Sequence, residues 1–238
     1  MTEPKPVLLM TRPVEVAIEF IETLPQEHLT QVKVIFSPLM EIKFRTVSVN
    51  RHNLQGVIFT SRNGVKAIGA SSNLSKVPAY CVGKKTTELA QKNGWKSTFL
   101  GLNAEEFIPN LIKKKPSTPL IHFRGQFTRG KIAEHLTNQG LATTEQIIYD
   151  QIVCSLTTDA QDALISGTPI ITPLFSPRTA MQFAKECTAS STLTIAALSI
   201  AVADALGQKT NYNVHIAPTP NAKSMGLLVQ SLITSTLS

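Results

Sequence analysis

The chain repeatedly places a short run of apolar, often β-branched residues directly before a segment whose apolar residues recur at helical spacing. These units begin with "VLLM" at 7–10, "VIFT" at 57–60, "AYCV" at 79–82 and "PLIHF" at 119–123, and the alternation returns at 170–183 and 193–207. Strands that alternate with helices in this way are typical of parallel βαβ units. We therefore predict an α/β fold built on parallel sheets.

The first half of the chain also resembles the second half. Four segments match in the same order at offsets of about 112–118 residues: "LLMTRPVEVAIEFI" (8–21) with "LIHFRGQFTRGKIAEHL" (120–136), "FTSRNGVKAI" (59–68) with "LFSPRTAMQF" (174–183), "YCVGKKTTELA" (80–90) with "AALSIAVADAL" (196–206), and "NAEEFIPNLI" (103–112) with "NAKSMGLLVQSLI" (221–233). Such a series predicts two copies of one α/β unit. Within it, Ser61 is equivalent to Ser176 and Gly83 to Ser199.

Composition limits the classes of partner. The net charge of +7 favours nucleic acid, an anionic membrane or a polyanionic small molecule. The cations are dispersed apart from Lys113–Lys115 and only 6% of the residues are aromatic, which argues against nucleic acid. No apolar run is long enough to span a membrane and the N-terminus lacks the pattern of a signal peptide. We therefore expect a cytoplasmic protein.

The common motifs of metal, nucleotide and hydrolase sites are missing from the sequence. Cys81, Cys154 and Cys187 are widely spaced, and no histidine has a neighbour at ligand spacing. The segment "VGKKT" (82–86) lacks the spacing of a Walker loop, no G-x-G-x-x-G follows a strand, and neither a G-x-S-x-G elbow nor HExxH occurs. We predict neither a metal nor a cofactor.

A Ser, Thr or Gly stands where several predicted strands give way to a helix. The first turn of a helix has free N–H groups and partial positive charge, so it holds carboxylates or phosphates well. Ser61, Thr86 and Ser176 would each cap such a turn or bond a ligand. Because parallel sheets gather these turns at one edge, the set as a whole favours ligand binding.

Taken in order, the motifs resemble the uroporphyrinogen-III synthase family over nearly the whole chain. The matching elements are "LLMTRP" (8–13), "SPLMEI" (37–42), "VIFTSRNGV" (57–65), "CVGKKTTELAQKNGW" (81–95), "PLIHFRGQFTRGKIAEHLTNQG" (119–140), "IIYDQ" (147–151), "LFSPRTAMQF" (174–183) and "APTPNAKSMGLLVQSL" (217–232). The resemblance implies two flavodoxin-like lobes with parallel sheets in an interleaved order, joined by a two-stranded linker. The implied bounds are 1–36 plus 155–238 for the first lobe, 40–150 for the second, and 36–40 and 150–155 for the linker strands.

The family reaction closes linear hydroxymethylbilane into uroporphyrinogen III, with inversion of ring D, loss of water and no cofactor. The resemblance implies that this octacarboxylate is the partner of the basic surface and that it binds between two mobile lobes of a monomer. It also implies transient contact with hydroxymethylbilane synthase, and no nucleic acid or membrane partner. The protein would hold the conformer in which the inverted ring closes, with one weak acid to assist the departing hydroxyl.

By the same resemblance, Tyr149 falls on the family's tyrosine at the return to the linker and would protonate the departing hydroxyl. The alternative is an amphipathic tyrosine with a purely structural place at a lobe junction. The implied substrate-binding residues are Arg12, Thr60, Ser61, Gly83, Lys84, Thr86, Arg124, Gly125, Ser176 and Ser199. Arg12 and Arg124 stand at matching strand ends of the duplication, where each would pair with a substrate carboxylate.

One turn departs from the family pattern. The family has Gly-Pro-x-Thr-Ala where this chain has "LSIAVAD" (198–204), so that Ser199 replaces the glycine and Ala201 and Val202 replace the expected hydroxyls. This departure leaves room for a non-catalytic member of the family, a sensor or binding module for a polyanionic ligand. A regulator that binds phosphate or nucleotide is a further alternative.

Overall fold

The computed structural model describes residues 4–49, 53–69, 77–127, 130–187, 192–207 and 213–237. Its strands are β1 (Val7–Met10), β2 (Lys33–Phe36), β3 (Met40–Phe44), β4 (Gly56–Phe59), β5 (Ala79–Val82), β6 (Ser97–Gly101), β7 (Leu120–Gly125), β8 (Thr143–Val153), β9 (Ile170–Leu174), β10 (Leu193–Ala197) and β11 (Asn213–Ile216). Its helices are α1 (Val14–Ile21), α2 (Gln26–Leu29), α3 (Arg62–Ile68), α4 (Lys84–Lys92), α5 (Ala104–Lys114), α6 (Ile132–Asn138), α7 (Thr158–Ile165), α8 (Pro177–Glu186), α9 (Ile200–Asp204) and α10 (Ala222–Leu237).

These elements form two compact units. The discontinuous unit comprises Met1–Glu41 and Ile152–Ser238, and the continuous unit comprises Ile42–Gln151. The chain passes from one unit to the other within β3 and again within β8. None of the helices in the described ranges is long and apolar enough to cross a membrane.

The discontinuous unit contains a five-stranded sheet of order β11-β10-β9-β1-β2. Its strand pairs are parallel, and β1 lies between β9 and β2, with Val7 opposite both Ile170 and Lys33. Successive side chains of β1 point to opposite faces of the sheet. Val7 and Leu9 pack in one core cluster with α7, α8 and α9, whereas Leu8 and Met10 pack in another with α1 and α10. Burial on both faces explains why the strand is apolar throughout.

The continuous unit contains a six-stranded sheet of order β3-β8-β7-β4-β5-β6. The four strands β4, β5, β6 and β7 pair in parallel, as does β8 with β7. Val57 and Phe59 pack towards α3 and α4, whereas Ile58 packs towards α5 and α6. The predicted α/β class with parallel sheets is confirmed for both units.

Matched helix starts in the two units agree with the duplication seen in the sequence. Ser61 caps α3 by accepting a hydrogen bond from the amide of Gly64, and Ser176 caps α8 in the same way, from the amide of Thr179. Asn103 and Asn221 likewise accept hydrogen bonds from the amides three residues further on. Two aligned pairs of caps with one geometry are what a duplicated strand-turn-helix pattern would give.

Candidate active site

The carboxyl ends of β4, β5 and β7 meet at one edge of the sheet of the continuous unit, because these strands are parallel neighbours. Six of the predicted site residues lie at this edge, directly after or at the end of a strand: Thr60, Ser61, Gly83, Lys84, Arg124 and Gly125. Tyr149 reaches the same edge from β8, since it pairs with Gly125.

A hydrogen bond joins Ser61 to Tyr149. The Ser61 Oγ lies 2.9 Å from the Tyr149 hydroxyl and also accepts the Gly64 amide at 3.2 Å. The amide holds Ser61 in its capping rotamer, so the serine is a fixed partner for the phenol. Tyr149 is only 6% exposed, and the bond supplies the polar partner that a buried tyrosine hydroxyl needs.

Tyr149 owes its position to an irregularity in the sheet and to a glycine. The register between β7 and β8 shifts between Arg124 and Gly125, and the consecutive residues Ile148 and Tyr149 both pack in the core cluster that contains Phe123. The Tyr149 ring lies against Gly125: a Cβ on this glycine would stand 2.6 Å from the ring Cζ and 3.0 Å from the hydroxyl. Gly125 was predicted to bind substrate. The structure gives it a second role, because its lack of a side chain leaves the space that the Tyr149 ring occupies.

On the other face of the same strands, Thr60 contacts a buried histidine. The Thr60 Oγ1 lies 3.2 Å from Nε2 of His122, which is 1% exposed. The His122 Nδ1 lies 3.6 Å from Oε1 of Glu145, and the Arg124 Nε donates to Glu145 Oε2 at 2.8 Å. Arg124 also donates to the backbone carbonyls of Gly125 and Gln126. The four side chains form one polar chain along the sheet.

His122 is neutral near pH 7. Burial lowers its pKa from 6.5 to about 4, because an imidazolium would lose its hydration inside the protein. Glu145 opposes this shift and Arg124 adds to it. The sequence offered one sign of this group, a histidine inside the otherwise apolar strand "LIHF" (120–123), but neither His122 nor Glu145 was identified as a site residue.

At the start of α4, one of the two roles expected for Thr86, that of the cap, is excluded. The cap residue of α4 is Gly83, at φ 80°, a conformation that favours glycine, and no side chain of the described residues caps this helix. Thr86 is therefore not a cap: it is the third residue of the helix, within the first turn, and is 6% exposed. Lys84 is the first helical residue and is exposed. The helix start thus combines first-turn amides with two exposed lysines, Lys84 and Lys85, an arrangement suited to an anion.

The nearby Cys81 is no candidate nucleophile. Burial raises the pKa of its thiol to about 12, so the reactive thiolate is not populated at neutral pH. Among the residues that the structure describes, no group of three or more His, Cys, Asp or Glu side chains could hold a metal ion.

The corresponding edge of the discontinuous unit carries Arg12, Ser176 and Ser199. The Ser176 Oγ lies 2.8 Å from Thr179 Oγ1, and the Arg12 guanidinium stands 4.0 Å from the centroid of the Phe175 ring, a cation–π contact that fixes its head group. Ser199 stands before α9 in an extended conformation and makes no capping side-chain bond there. The segment 198–204, which departs from the family pattern, thus contains α9, a helix of only five residues.

Comparison with known proteins identifies the family. The family model described as "Uroporphyrinogen-III synthase HemD" matches residues 27–226. The chain belongs to the uroporphyrinogen-III synthase family. The family predicted from the ordered motifs is therefore confirmed, and with it the lyase class and the place in tetrapyrrole biosynthesis that the family has.

A solved uroporphyrinogen-III synthase structure shares the fold. The Helicobacter pylori 26695 enzyme is 19% identical, with 96% of this chain and 99% of that chain covered and a TM-score of 0.68. A mutant of the Thermus thermophilus enzyme is 11% identical, with 98% of each chain covered and a TM-score of 0.48. A comparison with curated proteins found no match.

Proposed function

We propose that this chain catalyses the reaction of the uroporphyrinogen-III synthase family: cyclisation of hydroxymethylbilane to uroporphyrinogen III, with inversion of ring D and loss of water. The observation that carries the proposal is the Ser61–Tyr149 hydrogen bond of 2.9 Å at the carboxyl edge of the sheet. By the motif resemblance Tyr149 falls on the family tyrosine, and Ser61 holds its phenol at this edge.

The chemistry asked of Tyr149 is modest. A hydroxyl on a pyrrolic carbon leaves easily because the ring nitrogen releases electrons towards it, so a single hydrogen-bond donor is sufficient assistance. In the proposed step, the Tyr149 phenol donates its proton to the departing oxygen while the C–O bond breaks, and water leaves. Ser61 holds the phenol, since its own oxygen is fixed by the Gly64 amide. The remaining task is to hold the conformer in which the inverted ring closes.

The carboxylates of the substrate have candidate partners in both units. In the continuous unit these are the first-turn amides of α4 after Gly83 and the ammonium of Lys84. In the discontinuous unit, Ser176 and Thr179 present a hydroxyl pair at the start of α8, and Arg12 stands on Phe175 as a fixed cation. Thr86, Arg124 and Ser199 stay in the proposal as residues that contact substrate. For Arg124 the ion pair with Glu145 is the contact that the structure supports directly.

The proposal includes the setting of the reaction. The substrate cyclises by itself to the non-inverted isomer, so a short transfer from hydroxymethylbilane synthase protects it. We propose a cytoplasmic monomer that meets that enzyme transiently. Sedimentation at micromolar concentrations, alone and with hydroxymethylbilane synthase, tests this part: a stable dimer would contradict the monomer, and a rate that does not depend on the synthase concentration at fixed substrate supply would contradict the contact.

The test of the function is the isomer ratio of the product. Hydroxymethylbilane is generated in situ, and the type I and type III products are separated by chromatography. The wild-type chain should give type III in excess; type I alone would overturn the proposal and leave a binding module. Tyr149→Phe should lower the rate of type III formation. The matched control is Tyr80→Phe, which removes the hydroxyl of another buried tyrosine in the same unit, in the core beside Phe107.

A further inference from the structure

The chain of polar side chains from Thr60 to Arg124 takes no part in the chemistry proposed for Tyr149. Three of its members lie on neighbouring strands: Thr60 follows β4, His122 lies within β7, and Glu145 lies opposite His122 on β8. His122 is almost completely buried, whereas the Thr60 side chain lies at the edge and is partly exposed. A buried imidazole with a carboxylate on one side and an edge hydroxyl on the other can control how that hydroxyl bonds.

The two nitrogens of His122 have different surroundings. Nδ1 faces the Glu145 carboxylate at 3.6 Å, and Nε2 faces the Thr60 hydroxyl at 3.2 Å. A neutral imidazole carries one proton, and its position is decided by what each nitrogen faces. Nδ1 makes no hydrogen bond to the described residues, but a proton on it would lie beside a negative charge 3.6 Å away, whereas a proton on Nε2 would turn the Nδ1 lone pair towards that charge in a buried site. The Nδ1–H tautomer is therefore the favoured one, and Nε2 becomes an acceptor.

This tautomer fixes the direction of the next hydrogen bond. Nε2 without a proton can only accept, so the Thr60 hydroxyl must donate to it, and the free lone pairs of its oxygen then face outwards as acceptors. A hydroxyl held in this way has no proton to offer a carboxylate. Its oxygen can instead accept a hydrogen bond, and the groups of a bilane that can donate one are its pyrrole N–H groups.

We propose that His122, held in its Nδ1–H tautomer by Glu145, makes Thr60 a hydrogen-bond acceptor that receives a pyrrole N–H of the substrate. The donor's identity rests on the proposed function. The site would therefore distinguish two parts of one ligand. Helix starts and cations bind the substrate carboxylates, whereas the Thr60 oxygen repels carboxylates and accepts a hydrogen bond from a pyrrole N–H. His122 and Glu145 do not touch the substrate in this proposal; they are positioning residues.

The tautomer itself is measurable without turnover. Protein with ¹⁵N-labelled histidine is examined by NMR at neutral pH, where the shifts of the ring nitrogens and their couplings to the ring protons show which nitrogen carries the proton. The wild-type chain should show His122 as Nδ1–H, with His122→Asn to assign the signal. Glu145→Gln removes the charge and should shift the population towards Nε2–H. The matched control is Arg124→Gln, which removes the partner of Glu145 but keeps the carboxylate beside His122. An Nε2–H tautomer in the wild type would overturn the proposal.

The substrate side is tested by kinetics. Thr60→Val removes the acceptor and keeps the shape, and it should lower kcat/KM for type III formation by about fivefold to tenfold, the effect of one lost hydrogen bond. Thr60→Ser, which keeps the hydroxyl, should retain most of the activity. The double variant Thr60→Val/Glu145→Gln should be no slower than Thr60→Val alone, because Glu145 acts through Thr60. Unchanged kcat/KM in Thr60→Val, or an additive double variant, would overturn the proposal.

These results separate two failures. A wild-type chain that makes only the type I isomer refutes the proposed function, whatever the tautomer is. A chain that makes type III but shows the Nε2–H tautomer, or tolerates Thr60→Val, refutes only the inference about Thr60.

Discussion

The close packing of Gly125 against the Tyr149 ring allows the effect of a Gly125→Ala substitution to be estimated from distances. In Gly125→Ala the new Cβ would stand 2.6 Å from the Tyr149 Cζ, whereas carbon atoms pack at about 3.5 Å or more. The ring must therefore move by about 1 Å, the difference between these two values. The backbone of Gly125 does not lie in the left-handed region that favours glycine, so the clash with the ring is the reason for the effect.

A shift of this size affects both stability and turnover. The Ser61–Tyr149 bond of 2.9 Å would stretch beyond hydrogen-bond reach, at a cost of about 1 kcal/mol. Overpacking in a well-packed core adds about 1–3 kcal/mol. A misplacement of about 1 Å in a catalytic group commonly lowers the rate by about 100-fold. We therefore expect Gly125→Ala to lower the free energy of unfolding in urea by about 2–4 kcal/mol and to slow type III formation by about 100-fold.

The double variant shows whether Tyr149 carries the effect. If Gly125→Ala acts by displacing the phenol, Gly125→Ala/Tyr149→Phe should be no slower than Tyr149→Phe alone, measured as the initial rate of type III formation. The control is Gly226→Ala, the same change in α10, where the new Cβ would meet Leu24 at an ordinary 3.7 Å and no loss of activity is expected. Wild-type activity in Gly125→Ala would refute the reasoning. A second full loss in the double variant would also refute it and would point to a direct contact between Gly125 and substrate.

Three further predictions concern the caps, the buried histidine and the charge. Ser61→Ala and Ser176→Ala should each lower the free energy of unfolding in urea by about 1 kcal/mol, because each removes a helix cap. Only Ser61→Ala also removes the hydrogen-bond partner of Tyr149, so its kcat should be the lower of the two. Equal kcat values would contradict this. The pKa of His122 is about 4 in the folded protein, below the ordinary 6.5, so at acid pH the unfolded chain binds one more proton than the folded chain. The free energy of unfolding should therefore fall by about 2 kcal/mol between about pH 7 and pH 4.5. His122→Asn should abolish this part of the decrease, and the same pH profile in the variant as in the wild type would contradict the prediction. Lys84→Ala should raise KM by about twofold to fivefold with little change in kcat and should weaken the dependence of KM on salt; an unchanged KM would remove Lys84 from the site.

The central strands of the two sheets could be predicted from the sequence because they are buried on both faces. The four residues of β1 are 0–4% exposed, so their side chains form an unbroken apolar run. The order of the strands could not be read in this way. Nothing local in "VLLM" shows that β1 inserts between β9 and β2, a pairing that joins segments far apart in the chain; only the family resemblance suggested that the first segment joins the second half.

The candidate site was predictable to the extent that it depends on local turns. Ser61 and Ser176 lie at equivalent helix starts, and the offset between the repeats pairs them. Thr86 was wrong as a cap because the positive φ of Gly83 starts α4 earlier than the pattern of hydroxyls suggests. The position of Tyr149 depends on a register shift between β7 and β8, and register shifts of this kind leave no periodic signal in the sequence of either strand.

The two adjacent hydroxyls at the end of β4 show how one strand end can serve two purposes. Successive residues of a strand face opposite sides of a sheet, so Ser61 continues the face of Phe59, where Tyr149 lies, and Thr60 continues the face of Ile58, where His122 lies. Exchange of the two residue types would keep both hydroxyls but move the β-branched residue to the cap and the smaller one to the histidine. Because serine is the somewhat stronger cap and threonine has the stiffer χ1, the observed order gives the more stable helix start and the better-oriented acceptor at once.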